Sequence, residues 1–98
     1  MVSQAIGKTL RLEKNKMINI LFFGQLKEQL RCDNLQFELQ SSCSVASLLT
    51  ELQEKSPLFA KHLANDKLMM AVNQTMVSKD HQVNDGDEVA FFPPVTGG

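Results

Sequence analysis

The spacing of apolar residues changes several times along the chain, and each spacing predicts a different element. Ile18-Asn19-Ile20-Leu21-Phe22-Phe23 is a β-branched and aromatic run stopped by Gly24, which predicts a strand. Gln25 to Leu30 follows with Leu26 and Leu30 four apart, a short helix, and Cys32-Asp33-Asn34 reads as a turn. Leu35-Gln36-Phe37-Glu38-Leu39-Gln40 alternates strictly and predicts a half-buried strand, paired with the first as a hairpin. After the polar break Ser41–Ser44, Val45, Leu48, Leu49 and Leu52 recur at i, i+3, i+4 and i+7. That stripe marks the main helix, with Ser44 as its cap and Ser56-Pro57 as its end. Leu58 to Leu63 predicts a further short helical turn.

Leu68-Met69-Met70-Ala71-Val72-Asn73 predicts a buried strand and Thr75-Met76-Val77 a shorter one. Asn84-Asp85-Gly86-Asp87 is a turn signal, and Glu88-Val89-Ala90-Phe91-Phe92 is the final strand. Several strands around one main helix define an α+β fold, a sheet packed on a helix. The first and last strands are apolar at neighbouring positions, so large side chains point from both of their faces. One helix covers only one face of a small sheet. Part of Leu21, Phe22, Phe23, Phe91 and Phe92 is therefore expected to form an exposed apolar patch, the mark of a partner interface.

Residues 1–16 show no convincing strand or helix pattern and are read as an N-terminal extension, disordered or a start-site artefact, with Met17 as the functional start. The expected domain is 17–94, followed by a tail at 95–98. Charge divides the same way. Residues 1–16 hold four basic side chains against one acidic, and residues 17–98 hold six against ten. An acidic body argues against nucleic-acid binding, which needs a basic stripe, and suits a partner with a basic surface. No apolar run approaches the ~20 residues of a membrane span, and no signal-peptide pattern is visible. Cys32 and Cys43 lack disulfide or metal spacing, so the expected location is cytoplasmic. His62 and His81 have no ligand-spaced partners, and no metal site is expected. No constellation in the body suits catalysis.

The chemistry gathers instead in Phe92-Pro93-Pro94-Val95-Thr96-Gly97-Gly98. Pro93 and Pro94 end the strand and stiffen the exit, since neither donates a ladder hydrogen bond. The four residues beyond can extend roughly 13–14 Å. Gly97 and Gly98 have no side chains, so the tip fits a channel too narrow for other residues. An α-carboxylate at Gly98 is ionised at neutral pH. It is a poor acyl donor until ATP converts it into an acyl-adenylate. Sulfide, persulfide or a thiol can then capture the acyl group.

The run Ile20-Leu21-Phe22-Phe23-Gly24-Gln25-Leu26, the segments Ala71-Val72-Asn73-Gln74-Thr75 and Val77-Ser78, and above all Asp85 through Gly98 resemble the MoaD family, the small sulfur-carrier subunits of molybdopterin synthase. The resemblance covers residues 17–98. It implies a ubiquitin-like β-grasp fold whose C-terminal Gly98 is adenylated and then becomes a thiocarboxylate. It implies two partners: a ubiquitin-activating-type adenylyltransferase that uses MgATP, and the large synthase subunit in a heterotetramer, where cyclic pyranopterin monophosphate receives sulfur to form the dithiolene of molybdopterin. No cofactor is expected on this chain. Val95, Thr96 and Gly97 would insert into the large subunit, and Phe22, Phe91, Phe92, Pro93 and Pro94 are the candidate docking residues. A thiamine-pathway sulfur carrier, a ubiquitin-like modifier that forms isopeptide bonds, and an inert interaction module remain as alternatives.

Overall fold

Two hydrophobic patterns, a period-2 pattern in the strands and one helical stripe, close on each other in the computed structural model, which describes residues 16–39 and 41–94. Residues 1–15 of the expected extension and the tail at 95–98 lie outside the described residues. The elements are β1 (Lys16–Phe22), α1 (Gly24–Leu30), β2 (Asn34–Leu39), β3 (Cys43–Ser44), α2 (Val45–Lys55), α3 (Pro57–His62), β4 (Met69–Val72), β5 (Thr75–Val77), β6 (Gln82–Val83) and β7 (Glu88–Phe92). Lys16, the first described residue, pairs with Leu39 in β1.

The main sheet has the order β2-β1-β7-β4-β5. β1 and β7 run parallel, and every other neighbouring pair is antiparallel. The arrangement is the β-grasp: a mixed sheet wrapped on one main helix. β1 and β2 are antiparallel neighbours as expected, but α1 fills the connection, so they are not joined by a tight hairpin. Arg31 closes α1 in the left-handed region at φ 57°, and the Cys32 N–H donates to the Lys27 carbonyl at 3.1 Å.

The helices begin where the serines allow. The Ser44 hydroxyl accepts from the Ser47 N–H at 3.1 Å, the expected cap of α2. Ser56 ends α2 and starts α3, accepting from the Phe59 N–H at 3.2 Å with Pro57 at the first helical turn. Val45, Leu48 and Leu52 of the α2 stripe are fully buried, and Leu49 is only half-buried against the core. They meet the inner face of the sheet, where Ile18, Ile20, Phe22, Leu39, Val89 and Phe91 are buried. Phe22 anchors this layer, stacked on Phe91 at 6.1 Å and edge-on to Phe59 at 5.8 Å.

Two turns set the far end of the sheet. Val72 pairs with Thr75, leaving Asn73 (φ 52°) and Gln74 (φ 70°) as a two-residue loop of type I′. The Asn73 side chain holds this loop to β7: its Nδ2 donates to Asp87 at 3.0 Å, and its Oδ1 accepts from the Glu88 N–H at 3.0 Å. Gln74 gains no such compensation, and glycine is favoured at its position. Gln74→Gly is expected to stabilise the fold by about 0.5–1 kcal/mol, read as a rise in Tm of several degrees. Gly86, at φ 87°, ends the second turn and donates its N–H to the Met17 carbonyl at 2.8 Å, tying the start of β1 to the approach to β7.

A small second sheet was not foreseen. Cys43 pairs with Val83, and Ser44 with Gln82. Two-residue strands are too short to show a period, and Ser41–Ser44 reads simply as a polar break. The β3–β6 pair nonetheless carries Val83 into the main core, where it is fully buried.

Candidate functional site: the outer sheet face and the root of the tail

Among the described residues, all three helices pack on one side of the sheet and none lies on the other. Strand alternation decides who stands there. Within the paired stretch of β1 and β7, Asn19 and Glu88 are the polar members, and residues two apart share a face. Leu21 and Phe23 follow the parity of Asn19, while Ala90 and Phe92 follow that of Glu88. Across the sheet, Leu21 pairs with Ala90, Ala90 with Ala71, and Ala71 with Met76. Beside this row, Met69 pairs with Phe92. Phe92 in turn stacks on Phe23 with centroids 4.9 Å apart and planes 7° from parallel. The small side chains of Ala71 and Ala90 leave a shallow hollow, rimmed by Leu21, Phe23, Phe92 and Met76. Phe23 is 42% exposed, Met69 38% and Met76 53%, a contiguous apolar surface that no described helix covers.

The tail root sits at the border of this surface. Phe23, Gly24, Met69, Met76, Phe92 and Pro93 line an apolar depression, and Pro93 and Pro94 also form a wall of a more polar cleft with Gln25, Gln29, Lys61, His62 and Asn65. The Phe23 N–H donates to the Phe91 carbonyl at 3.1 Å, carrying the β1–β7 pairing past the end of β1. Gly24 has φ +60°, and a Cβ there would stand 3.1 Å from Cγ and 3.3 Å from Cδ of Pro93. Glycine is needed twice over, for its backbone conformation and for the close approach of the proline. Gly24→Ala is expected to cost about 1–3 kcal/mol in urea unfolding, combining left-handed strain with displacement of Pro93. The same shift re-aims the strand exit.

The docking candidates divide by strand parity. Phe92, Pro93 and Pro94 are partly exposed at the root. Phe22 and Phe91 are not docking residues: at 1% and 0% exposure they are the stacked pair of the core, facing α2 and α3. In their place the surface offers Phe23, Met69 and Met76. The sequence pattern places Phe23 and Leu21 in the patch but not the two methionines. The readable signals were Asn19 and Glu88, whose polarity marks the outer face of strands that are otherwise apolar on both sides. Val95, Thr96, Gly97 and Gly98 lie outside the described residues.

Elsewhere the described residues offer little chemistry. No three His, Cys, Asp or Glu side chains among them gather to hold a metal ion. No described helix is long and apolar enough to cross a membrane. Burial, with the nearby Glu51 carboxylate, pushes the Cys43 thiol above its ordinary pKa, so it is protonated and weakly nucleophilic at neutral pH. The Cys32 thiol donates to the Asn34 carbonyl at 3.2 Å.

A β-grasp domain whose last described strand leads out through two prolines beside this apolar face belongs to the ubiquitin-like fold class. The small archaeal modifier protein 1 of Haloferax volcanii superposes with a TM-score of 0.69 at 19% identity, covering 82% of this chain and 99% of that one, a likeness of fold. In sequence, the molybdopterin synthase sulfur carrier subunit of Escherichia coli is 46% identical over 82 residues, covering 84% of this chain and 100% of the relative. The corresponding subunit of Haemophilus influenzae is 40% identical over 82 residues, with the same coverage of each chain. The ThiS family model matches residues 20–98. The chain belongs to the ThiS family, among the molybdopterin synthase sulfur carrier subunits.

Proposed function

We propose that this protein is the sulfur carrier subunit of a molybdopterin synthase, with Gly98 as the residue that bears the sulfur. The observation that carries this reading is the delivery of the tail root by β7, through Pro93 and Pro94, to the edge of an uncovered apolar face. A ubiquitin-activating-type adenylyltransferase joins the Gly98 carboxylate to AMP from MgATP, releasing pyrophosphate. A sulfur nucleophile then attacks the acyl carbon, AMP leaves, and the retained sulfur makes a thiocarboxylate.

The carrier next docks its outer face on the large synthase subunit. Val95, Thr96 and Gly97 thread towards the active site, and sulfur passes to cyclic pyranopterin monophosphate. A dithiolene needs two sulfurs, which a heterotetramer with two carriers on a large-subunit dimer suits. The chain itself supplies recognition and aim, and its partners supply the catalysis. The acidic body favours basic surfaces on those partners. A cytoplasmic site of action accompanies this reading.

The deciding measurement is intact mass after incubation with the adenylyltransferase, MgATP and a sulfur source. The expected gain is one oxygen exchanged for sulfur, placed at Gly98 by fragmentation. Because an oxygen added to methionine has nearly the same mass, only the placement is diagnostic. Conjugates to lysine side chains, with no thiocarboxylate, would instead make the protein a modifier.

A further inference from the structure

The outer face carries a chemistry that sulfur delivery does not use. Of the five methionines in the chain, Met69 and Met76 stand 38% and 53% exposed in the depression beside Phe23, Phe92 and Pro93. Met70, adjacent in sequence to Met69, points to the opposite side of the sheet and is only 6% exposed. We propose that Met69 and Met76 are peroxide-sensitive modification sites, and that their oxidation to sulfoxide blocks docking of the carrier on the large subunit.

The proposal rests on the outer face being the docking surface. It follows from what the thioether contributes there: a flexible, polarizable, apolar side chain that moulds to a partner and packs against aromatic rings. Hydrogen peroxide converts it directly. The sulfur lone pair attacks the terminal oxygen, an S–O bond forms, and the O–O bond breaks. The hydroxide released takes up the remaining proton and leaves as water. Sulfur is oxidised by two electrons and the peroxide is reduced by two, so no further reactant is required. The product is a polar sulfoxide that would need hydration inside an apolar interface, and methionine sulfoxide reductases restore the thioether.

In the free carrier both sulfur-bearing side chains are open to solvent. Bound carrier would be shielded. The modification therefore acts on the free form and withholds it from the synthase while peroxide persists.

The experiment uses the carboxylate form of the full chain, because a thiocarboxylate would itself react with peroxide. Hydrogen peroxide is added in a time course, and peptide mapping follows each methionine with and without the large subunit. Met69 and Met76 are expected to gain oxygen at least ten-fold faster than Met70, and to be protected in the complex. The oxidised carrier is expected to bind the large subunit at least ten-fold more weakly, with recovery after treatment by the reductases. In the Met69→Leu/Met76→Leu double variant, affinities before and after peroxide should agree, even though Met17 remains exposed and oxidisable.

Oxidation of Met70 at the rate of Met69, or equal affinities of oxidised and native carrier, would overturn the proposal. A ten-fold loss that persists in the double variant would also overturn it, by placing the effect elsewhere. Failure of the native carrier to bind at all, or an absence of protection in the complex, would instead bring down the docking reading beneath it.

Discussion

Removal of Gly97 and Gly98 is expected to reduce sulfur transfer to background while leaving the unfolding midpoint in urea unchanged. On the proposed mechanism the transferred sulfur is bonded to the acyl carbon of Gly98, so no residual route exists through the body. The folded body contributes no second acyl donor, and its core is built from residues between Ile18 and Phe91. Two companion variants sharpen the test. A single residue appended after Gly98 should be equally inactive, because it moves the carboxylate out of register. Gly97→Val should stay folded and fail at threading, since a branched side chain replaces bare backbone. Transfer at the native rate by any of the three, measured as molybdopterin formed per carrier, would refute the tether mechanism.

Phe23→Asp is expected to separate binding from stability. Phe23 is 42% exposed and stacks on Phe92 at the surface rather than in the core, so the stability change should stay within about 1 kcal/mol. An aromatic anchor at the centre of an interface is worth about 2–4 kcal/mol, and affinity for the large subunit should fall by roughly 30- to 1,000-fold. Phe22→Ala makes the contrast. Its ring is buried between Phe91 and Phe59, and its loss should cost about 3–5 kcal/mol of stability. Titration calorimetry beside urea unfolding would resolve the pair. A Phe23→Asp protein that binds like the native one would remove the outer face from the docking reading.

The contrast between these two phenylalanines also shows how far sequence patterns reach. The α2 stripe, the Ser44 cap, the stop at Pro57 and the alternation of β2 were legible because each is a local rule with a single solution. Gly98 and Gly97 could be singled out because a side-chain-free tip and a carboxylate are properties of composition rather than of packing. The docking face was legible only as an excess of apolar residues. In Ile20-Leu21-Phe22-Phe23 the hydrophobic pattern has no polar member to mark the outside, and the one-residue choice between Phe22 and Phe23 rests on Asn19 alone. Met69 and Met76 escaped for another reason. They reach the tail root only through the β4–β7 and β4–β5 pairings, and strand order is a tertiary property. The β3–β6 pair was too short to register as a period at all.

The position of β7 has a consequence for how the molecule is made. It is the last described strand in chain order, yet it lies in the middle of the sheet, between β1 and β4. The antiparallel β1–β2 and β4–β5 units can each assemble from neighbouring sequence, but no strand pairing joins them until residues 88–92 slot in between. The joining contacts span most of the chain, which slows folding relative to a locally wired topology. Synthesis therefore leaves two half-sheets waiting for their keystone. The stacked pair Phe23–Phe92 is assembled from opposite ends of the sequence and comes into being only when that keystone is seated. A partner that grips this pair reads a certificate of completion, and an unfinished chain presents nothing to charge with sulfur.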